Sequence, residues 1–287
     1  PQGKGKLTLT TGLIYDGLWS KGKWNGMGKL SYPEVSECVE KKMEITKHQY
    51  EGSFKSGKRH GIGKMKYCTG DIYNGLFSED KRNGQGIFKG NDGFVYQGSW
   101  LNDQMHGEGT ITYPDDSVYV GSLVKDVLNG IGKMVYPDKS SYQGDWRNGA
   151  ISGKGTYTYS NGVIYQGTFL DGKYDGEGEL KDPSGYEYAG SWVQGKRHGQ
   201  GKSSYPNGST YEGMFENGQR HGYGVLKEKT GYSYLGNWKN GRRDGKGVEN
   251  YESGSIYTGH LKNGKRSGHG TMKYSNGEVA IGNWLNG

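Results

Sequence analysis

A tyrosine returns every 23 residues along this chain, with glycine two places on and a large, mostly aromatic residue two places beyond that. Counting the tyrosine as place zero, blocks open at Tyr15, Tyr50, Tyr73, Tyr96, Tyr119, Tyr142, Tyr165, Tyr188, Tyr211, Tyr234 and Tyr257. A last block opens at Ala280. Places 11 and 13 are glycine as well, as in Gly61 and Gly63 or Gly199 and Gly201. Place 15 is usually apolar and place 17 is often tyrosine. A fixed period of this size marks a repeat array, whose units bury their apolar faces against one another.

Places 0, 2 and 4 form one set, and places 11, 13, 15 and 17 another. The spacing within each set is two, the strand period, so each set lies on one face of a strand. Turn-forming stretches separate the sets (residues 56–61, 217–222 and 240–245) and the blocks (160–162, 206–208 and 275–277). Asn-Gly between alternating runs is a strong hairpin signal. Each block therefore reads as one β-hairpin. The expected fold is all-β: an elongated single-layer antiparallel sheet of tandem β-hairpins with a 23-residue period, twisted or curved. One face carries rings and glycines, the glycines leaving room for rings to lie on backbone. The other face is mainly polar.

Composition agrees. Hydrophobic residues make up 31% of the 287, 55 residues are glycine, and mean hydropathy is −0.93. That is too polar for an ordinary globular core. Disorder has no use for a strict lattice of aromatics, and collagen would need glycine at every third place. The net charge of +7 favours acidic partners. Cys38 and Cys68 form no CxxC and no disulfide framework, so both thiols are expected to be free in a reducing compartment. There is no apolar run long enough for a membrane-spanning helix and no signal peptide. Pro1 and Gly287 both fall inside repeats, so the sequence reads as a segment of a longer protein.

The phrase YEGSFKSGKRHGIGKMKY, residues 50–67, resembles the MORN (membrane occupation and recognition nexus) repeat. Tyr50-Glu51-Gly52 and Gly61-Ile62-Gly63 match that motif, as do Tyr211-Glu212-Gly213 and Gly222-Tyr223-Gly224. The resemblance covers almost the whole chain, read as one continuous array over residues 1–287. It implies a β-hairpin scaffold of the kind found in radial spoke heads of motile cilia, protist cytoskeletal collars and junctional membrane proteins. It also implies the kind that precedes lipid kinase or methyltransferase domains.

No catalytic, cofactor-binding or metal-binding residue is expected, and no enzyme activity. The Gly61-Ile62-Gly63 type of patch lacks the GxxxxGK[ST] pattern of a phosphate loop. His60, His106, His198 and His221 share place 10, but equivalent residues of neighbouring repeats stand about 10 Å apart, too far to share one zinc. Nucleic acid is not expected as a partner, because the rings are committed to packing on glycine.

Two surface features carry partner expectations. Places 8 and 9 hold Lys58 and Arg59, Lys81 and Arg82, Lys196 and Arg197, Arg242 and Arg243, and Lys265 and Arg266. On a regular array they line one edge as a basic rail for an acidic partner or anionic lipid, unless they serve only to keep turns soluble. Three blocks interrupt the rail with Gln104-Met105, Val127-Leu128 and Ala150-Ile151. Contiguous apolar surface marks contact sites, so Met105, Val127, Leu128 and Ile151 are the expected protein-docking patch. Repeat drift buried by local packing is the plainer alternative.

Tyr15 and Tyr50 are 35 residues apart, twelve more than the period, so an inserted loop is placed at residues 33–47. Val35, Val39 and Met43 are spaced for a short amphipathic helix, and an extended hairpin fits almost as well. The expected function is a non-enzymatic scaffold for protein–protein interaction in a cytoskeletal assembly. The radial spoke head of the ciliary axoneme is the preferred setting, with a cytoplasmic and cytoskeletal location. End-to-end or homodimeric pairing is a further expectation. The alternatives are a membrane-tethering module for anionic phospholipid and a regulatory segment of a larger enzyme.

Overall fold

A computed structural model of the chain describes residues 1–43 and 46–287. Glu44, within the inserted loop, lies outside the described residues. The chain divides into two compact units, Pro1–Ala150 and Ile151–Gly287. In the first, strands run Gly3–Thr8, Ile14–Ser20, Lys23–Glu34, Lys47–Lys55, Lys58–Lys66, Ile72–Ser78, Lys81–Lys89, Val95–Leu101, Gln104–Thr112, Val118–Val124, Val127–Val135 and Ser141–Arg147. The second opens at Ile151, within the strand Ala150–Thr158. It continues through Ile164–Leu170, Lys173–Lys181, Glu187–Val193, Lys196–Ser204, Thr210–Glu216, Gln219–Lys227, Ser233–Lys239, Arg242–Asn250, Ile256–Lys262, Lys265–Lys273 and Val279–Trp284. Within each unit consecutive strands pair antiparallel, giving an open sheet of tandem hairpins.

One block shows how the sequence specifies the hairpin. Tyr50 faces Met65 and Gly52 faces Gly63 across the two strands, and Lys55 faces Lys58 over a two-residue turn. Ser56 and Gly57 both have positive φ, 54° and 89°. That is the primed turn whose twist suits a tight hairpin. The turn is therefore shorter than the sequence suggested: residues at places 8 and 9 are the first two of the returning strand. The register then shifts between Gly52 and Phe54, which faces Arg59, and Gly61 (φ 73°) sits in the resulting bulge.

The glycine columns have two separate causes. At place 11, as at Gly61, glycine supplies the left-handed bulge conformation. At places 2 and 13 it supplies space. A Cβ on Gly52 would stand 2.5 Å from the Gly63 Cα and 2.6 Å from the Tyr50 hydroxyl, and one on Gly63 would overlap the Tyr50 ring. The tyrosine ring lies over this glycine pair, and its hydroxyl donates to the Ser53 carbonyl at 2.9 Å. The same bond recurs from Tyr73 to Leu76, Tyr96 to Ser99 and Tyr211 to Met214. These tyrosines are fully buried. Burial disfavours the phenolate and pushes Tyr96, Tyr119, Tyr142 and Tyr211 up to about 12.

Many of these tyrosines also meet two rings edge-on, one from their own block and one from the next; Tyr96, Tyr119, Tyr234 and Tyr257 meet a place-4 ring on one side, because Leu123 or Leu261 stands on the other. Tyr73 lies 5.1 Å from Phe77 and 5.3 Å from Trp100. Tyr211 lies 5.1 Å from Phe215 and 5.3 Å from Trp238. Edge-to-face pairs at this separation add to the stabilisation from burial alone. The tryptophans reach back one repeat: the Trp100 Nε1 donates to the Gly86 carbonyl, and the Trp238 Nε1 to that of Gly224, both at 3.3 Å.

The inserted segment corrects one expectation. It forms a five-residue helix, Ser36–Glu40, above an extended pairing of Glu34 with Lys47. Val39, one of the expected apolar row, is exposed, and Cys38 is the buried residue. Cys38 is bonded to Cys68, with Cα atoms 6.0 Å apart. Free thiols were expected because sequence spacing alone suggested no pairing. The helix carries Cys38 across to the turn at Cys68, which the His48 Nδ1 fixes by accepting from the Cys68 N–H at 3.0 Å.

Candidate interaction surface

The returning strand brings the place-9 side chain back over the ring ladder. Arg59 lies 5.2 Å from the centroid of Phe77, Arg82 lies 4.1 Å from Trp100, and Arg197 lies 5.2 Å from Phe215. Arg220 and Arg266 sit 4.7 Å and 4.6 Å from Trp238 and Trp284. Every one of these arginines covers a ring of the following repeat and is half-buried, with its apolar stem packed and its charge over a π face. Place 8 differs. Lys58, Lys81, Lys196, Arg242 and Lys265 are exposed, and Lys58 pairs with Glu79 at 2.5 Å on the surface. The expected rail is thus two rows with different surroundings, an outer exposed one and an inner one against the rings.

Blocks without an arginine at place 9 fill the same inner slot with other side chains. Trp24 stacks on Tyr15 at 4.6 Å, and Tyr174 stacks on Tyr165 at 3.6 Å. Met105 faces Trp100 and Leu128 faces Leu123. Of the expected docking residues, Leu128 is buried, Met105 is half-buried, and Ile151, the first residue of the second unit, is half-buried. Val127 is exposed. It stands opposite Val124 across the hairpin turn, and Leu101 holds the equivalent of Val124 one repeat earlier. Leu101, Val124 and Val127 are 42%, 42% and 40% exposed, which makes them the accessible apolar side chains on this rim. Leu101 and Val124 were missed from sequence. Their signal was place 5, which pairs with place 8 across every two-residue turn.

What neutralises the inner arginines depends on the next turn. In the first unit that turn carries aspartate at place 7. The Asp80 Oδ1 accepts from the Arg59 backbone N at 2.8 Å and from its Nε at 3.3 Å. The Asp103 Oδ1 does the same for Arg82, at 2.8 Å and 3.2 Å. Asp126 accepts from the Met105 N–H at 2.7 Å. In the second unit place 7 is glycine: Gly218, Gly241 and Gly264. There Arg197 and Arg243 donate to the carbonyls of Gly218 and Gly264, at 2.6 Å and 2.9 Å, as Arg59 and Arg82 do to those of Asp80 and Asp103, but the turn residue offers no carboxylate. Among the described residues, Arg243 alone of the second unit's inner arginines has a carboxylate partner, Glu249. Glu249 is buried at place 15, where an apolar residue is usual, and also accepts from Tyr232 at 2.8 Å and Tyr251 at 2.5 Å.

These groups line two adjoining hollows on the ring face of the second unit. One, of about 680 Å³, is bordered by Arg220, Arg242, Arg243, Lys265, Arg266, Tyr232 and Tyr251. The other, of about 360 Å³, shares Arg220 and Arg242 and adds Arg197 and Tyr205. Of the place-10 histidines, His221 pairs with Glu216 at 3.1 Å. The Nδ1 atoms of His60 and His106 are buried without a partner among the described residues.

A family model described as MORN repeat matches residues 15–34, 50–72, 73–95, 96–118, 119–141, 142–164, 165–185, 188–210, 211–227, 234–256 and 257–279. No curated protein sequence matches the chain. Among solved structures, the chain is similar to the TCP domain of Drosophila melanogaster SAS-4 (dCPAP), solved in complex with a proline-rich motif of Ana2 (dSTIL). That likeness has 17% identity, covers 62% of this chain and 85% of the other, and has a TM-score of 0.29. A mutant TCP10 domain of Danio rerio CPAP is similar at 9% identity, with 98% and 99% covered and a TM-score of 0.25. Scores this low bear on neither topology nor partners.

Proposed function

The chain belongs to the MORN-repeat family, a non-enzymatic repeat module that serves protein or membrane interaction, and from that premise we propose that it is a protein-interaction scaffold within a cytoskeletal assembly. The radial spoke head of a ciliary axoneme is the setting we favour, with a cytoplasmic, cytoskeletal location; the family resemblance supports that choice. The observation that carries the scaffold reading is the exposed rim of Leu101, Val124 and Val127. It lies beside a ladder whose own rings are buried, and these apolar side chains keep about two fifths of their surface open to a partner. The test is Val124→Asp with Val127→Asp in the full-length protein. The array should melt as before while one component is lost from the purified assembly. An assembly of unchanged composition would remove the rim as a docking site.

A second reading is favoured by the exposed outer row of Lys58, Lys81, Lys196, Arg242 and Lys265, which suits an anionic membrane surface. Co-sedimentation with vesicles containing anionic phosphoinositide separates the two. Binding that survives physiological salt and falls when this row is neutralised supports membrane tethering. Binding lost at that salt leaves the protein scaffold.

A further inference from the structure

The second unit's ring face carries a row of arginines whose charge is left uncompensated by the turns beside it. Arg197, Arg220 and Arg266 have no carboxylate partner among the described residues. The equivalent Arg59 and Arg82 of the first unit are each held by a turn aspartate. The difference is one residue per repeat, Gly218 or Gly241 where the first unit has Asp80 or Asp103. The arginines sit low, over rings, beside the two hollows. Tyr205, Tyr232 and Tyr251 border those hollows, and Tyr232 and Tyr251 lie 5.7 Å apart. The larger hollow has five cations against Glu228 and Glu249.

Equivalent residues two strands apart are separated by about 10 Å. A polyproline II helix rises about 3.1 Å per residue with three residues per turn, so every third side chain lies on one face at about 9.3 Å. The two spacings agree. A groove with aromatic walls also suits that conformation, which is already extended and loses little entropy on docking. We propose that this trough binds an acidic segment in polyproline II conformation, with carboxylates at every third residue meeting Arg197, Arg220 and Arg266. Arg243, already paired with Glu249, takes no carboxylate, so the matching segment has acids at its first, second and fourth triplets and a neutral residue at the third. A flat membrane cannot reach guanidinium groups half-buried beside rings, whereas a single chain lying along the trough can. The proposal rests on the scaffold reading above and specifies the chemistry of one of its partners.

The probe is a synthetic peptide of four triplets, Asp-Pro-Pro, Asp-Pro-Pro, Ser-Pro-Pro, Asp-Pro-Pro, with a fluorophore at one end. Its control has the same composition with the three aspartates adjacent. Anisotropy on the whole chain at physiological salt should show the spaced peptide binding about tenfold more tightly than the control. Arg220→Met removes a charge yet keeps the ring covered, as Met105 does in its own repeat, and should weaken binding by about tenfold without lowering the melting temperature. Glu249→Gln frees Arg243 and should shift preference towards a peptide with aspartate in all four triplets. Equal affinity for both peptides, or affinity unchanged in Arg220→Met, overturns the proposal. So does a chain that ignores the peptides but sediments with phosphoinositide vesicles through the same arginines. If neither peptide nor vesicle binds while the rim variant still loses its component from the assembly, the trough proposal fails and the scaffold reading stands.

Discussion

The guanidinium of Arg82 lies 4.1 Å from the ring centroid of Trp100 in the next repeat, and its Nη2 donates to the Asp103 carbonyl at 2.7 Å. A side chain that reads from sequence as a soluble turn residue is thus a cover for the ring ladder. The contact makes Arg82→Ala costly, by about 1–3 kcal/mol, through lost packing and cation–π attraction together. Arg82→Met, which keeps an apolar stem over Trp100, should cost less than about 1 kcal/mol. Urea midpoints of the two variants against the parent chain check the ordering.

The two causes of the glycine columns separate by substitution. Gly63→Ala places a methyl in the Tyr50 ring and should cost about 2–3 kcal/mol by overpacking. Gly57→Ala meets open space and suffers only its positive φ of 89°, a cost of about 1 kcal/mol. Thermal melts that show the same loss for both would contradict the ring-on-glycine account.

Alkaline titration should unfold the sheet late and cooperatively. Buried Tyr96, Tyr119, Tyr142 and Tyr211 have folded-state values pushed up to about 12, against about 10 in an unfolded chain. The folded state therefore binds the phenolic protons more tightly. That stability is fully present below pH about 10 and is lost as pH rises towards about 12. Tyrosinate absorbance and strand circular dichroism should change together; extensive ionisation while the sheet signal is intact would show that these phenols are not buried as described.

The Cys38–Cys68 bond ties the inserted helix to the sheet. Reduction, or Cys38→Ser with Cys68→Ser, should loosen the segment around Ser36–Glu40 and raise tryptic cleavage after Lys41 and Lys42. The overall cost should be about 2–4 kcal/mol or less, depending on how far that segment already packs on its own. Hydrogen exchange at Tyr73 and beyond should be unaffected. Protection lost throughout the first unit would mean that the bond supports the array itself.

The period, the hairpins and the tyrosine–glycine contact were legible because each is written in one column and repeated in every block. Place 9 was not, because six blocks fill it with arginine and arginine is ordinary on a surface. The signal was present in the exceptions: Trp24 and Tyr174 occupy the same column, and two large rings do not recur at an exposed place by chance. The disulfide was illegible for another reason. Cys38 lies within the one stretch that breaks the period, so the lattice that positions Cys68 says nothing about its partner. The exposure of the apolar patch was legible only in part. Val127 is on the surface, but the tight turn carries Met105 and Leu128 inwards and brings Leu101 and Val124 to the rim in their place.

Asp103 and Gly218 occupy the same turn place with nearly the same backbone, φ 71° and 83°. One residue type silences an arginine and the other leaves it audible, while the hairpin beneath does not change. The array therefore keeps two scripts on one page. Tyrosine and glycine spell the architecture, identical from block to block. A single letter in each turn spells where charge is presented, and that letter can be rewritten without disturbing the text around it. Gly218→Asp should erase one mark in the second unit, and Asp103→Gly should add one to the first.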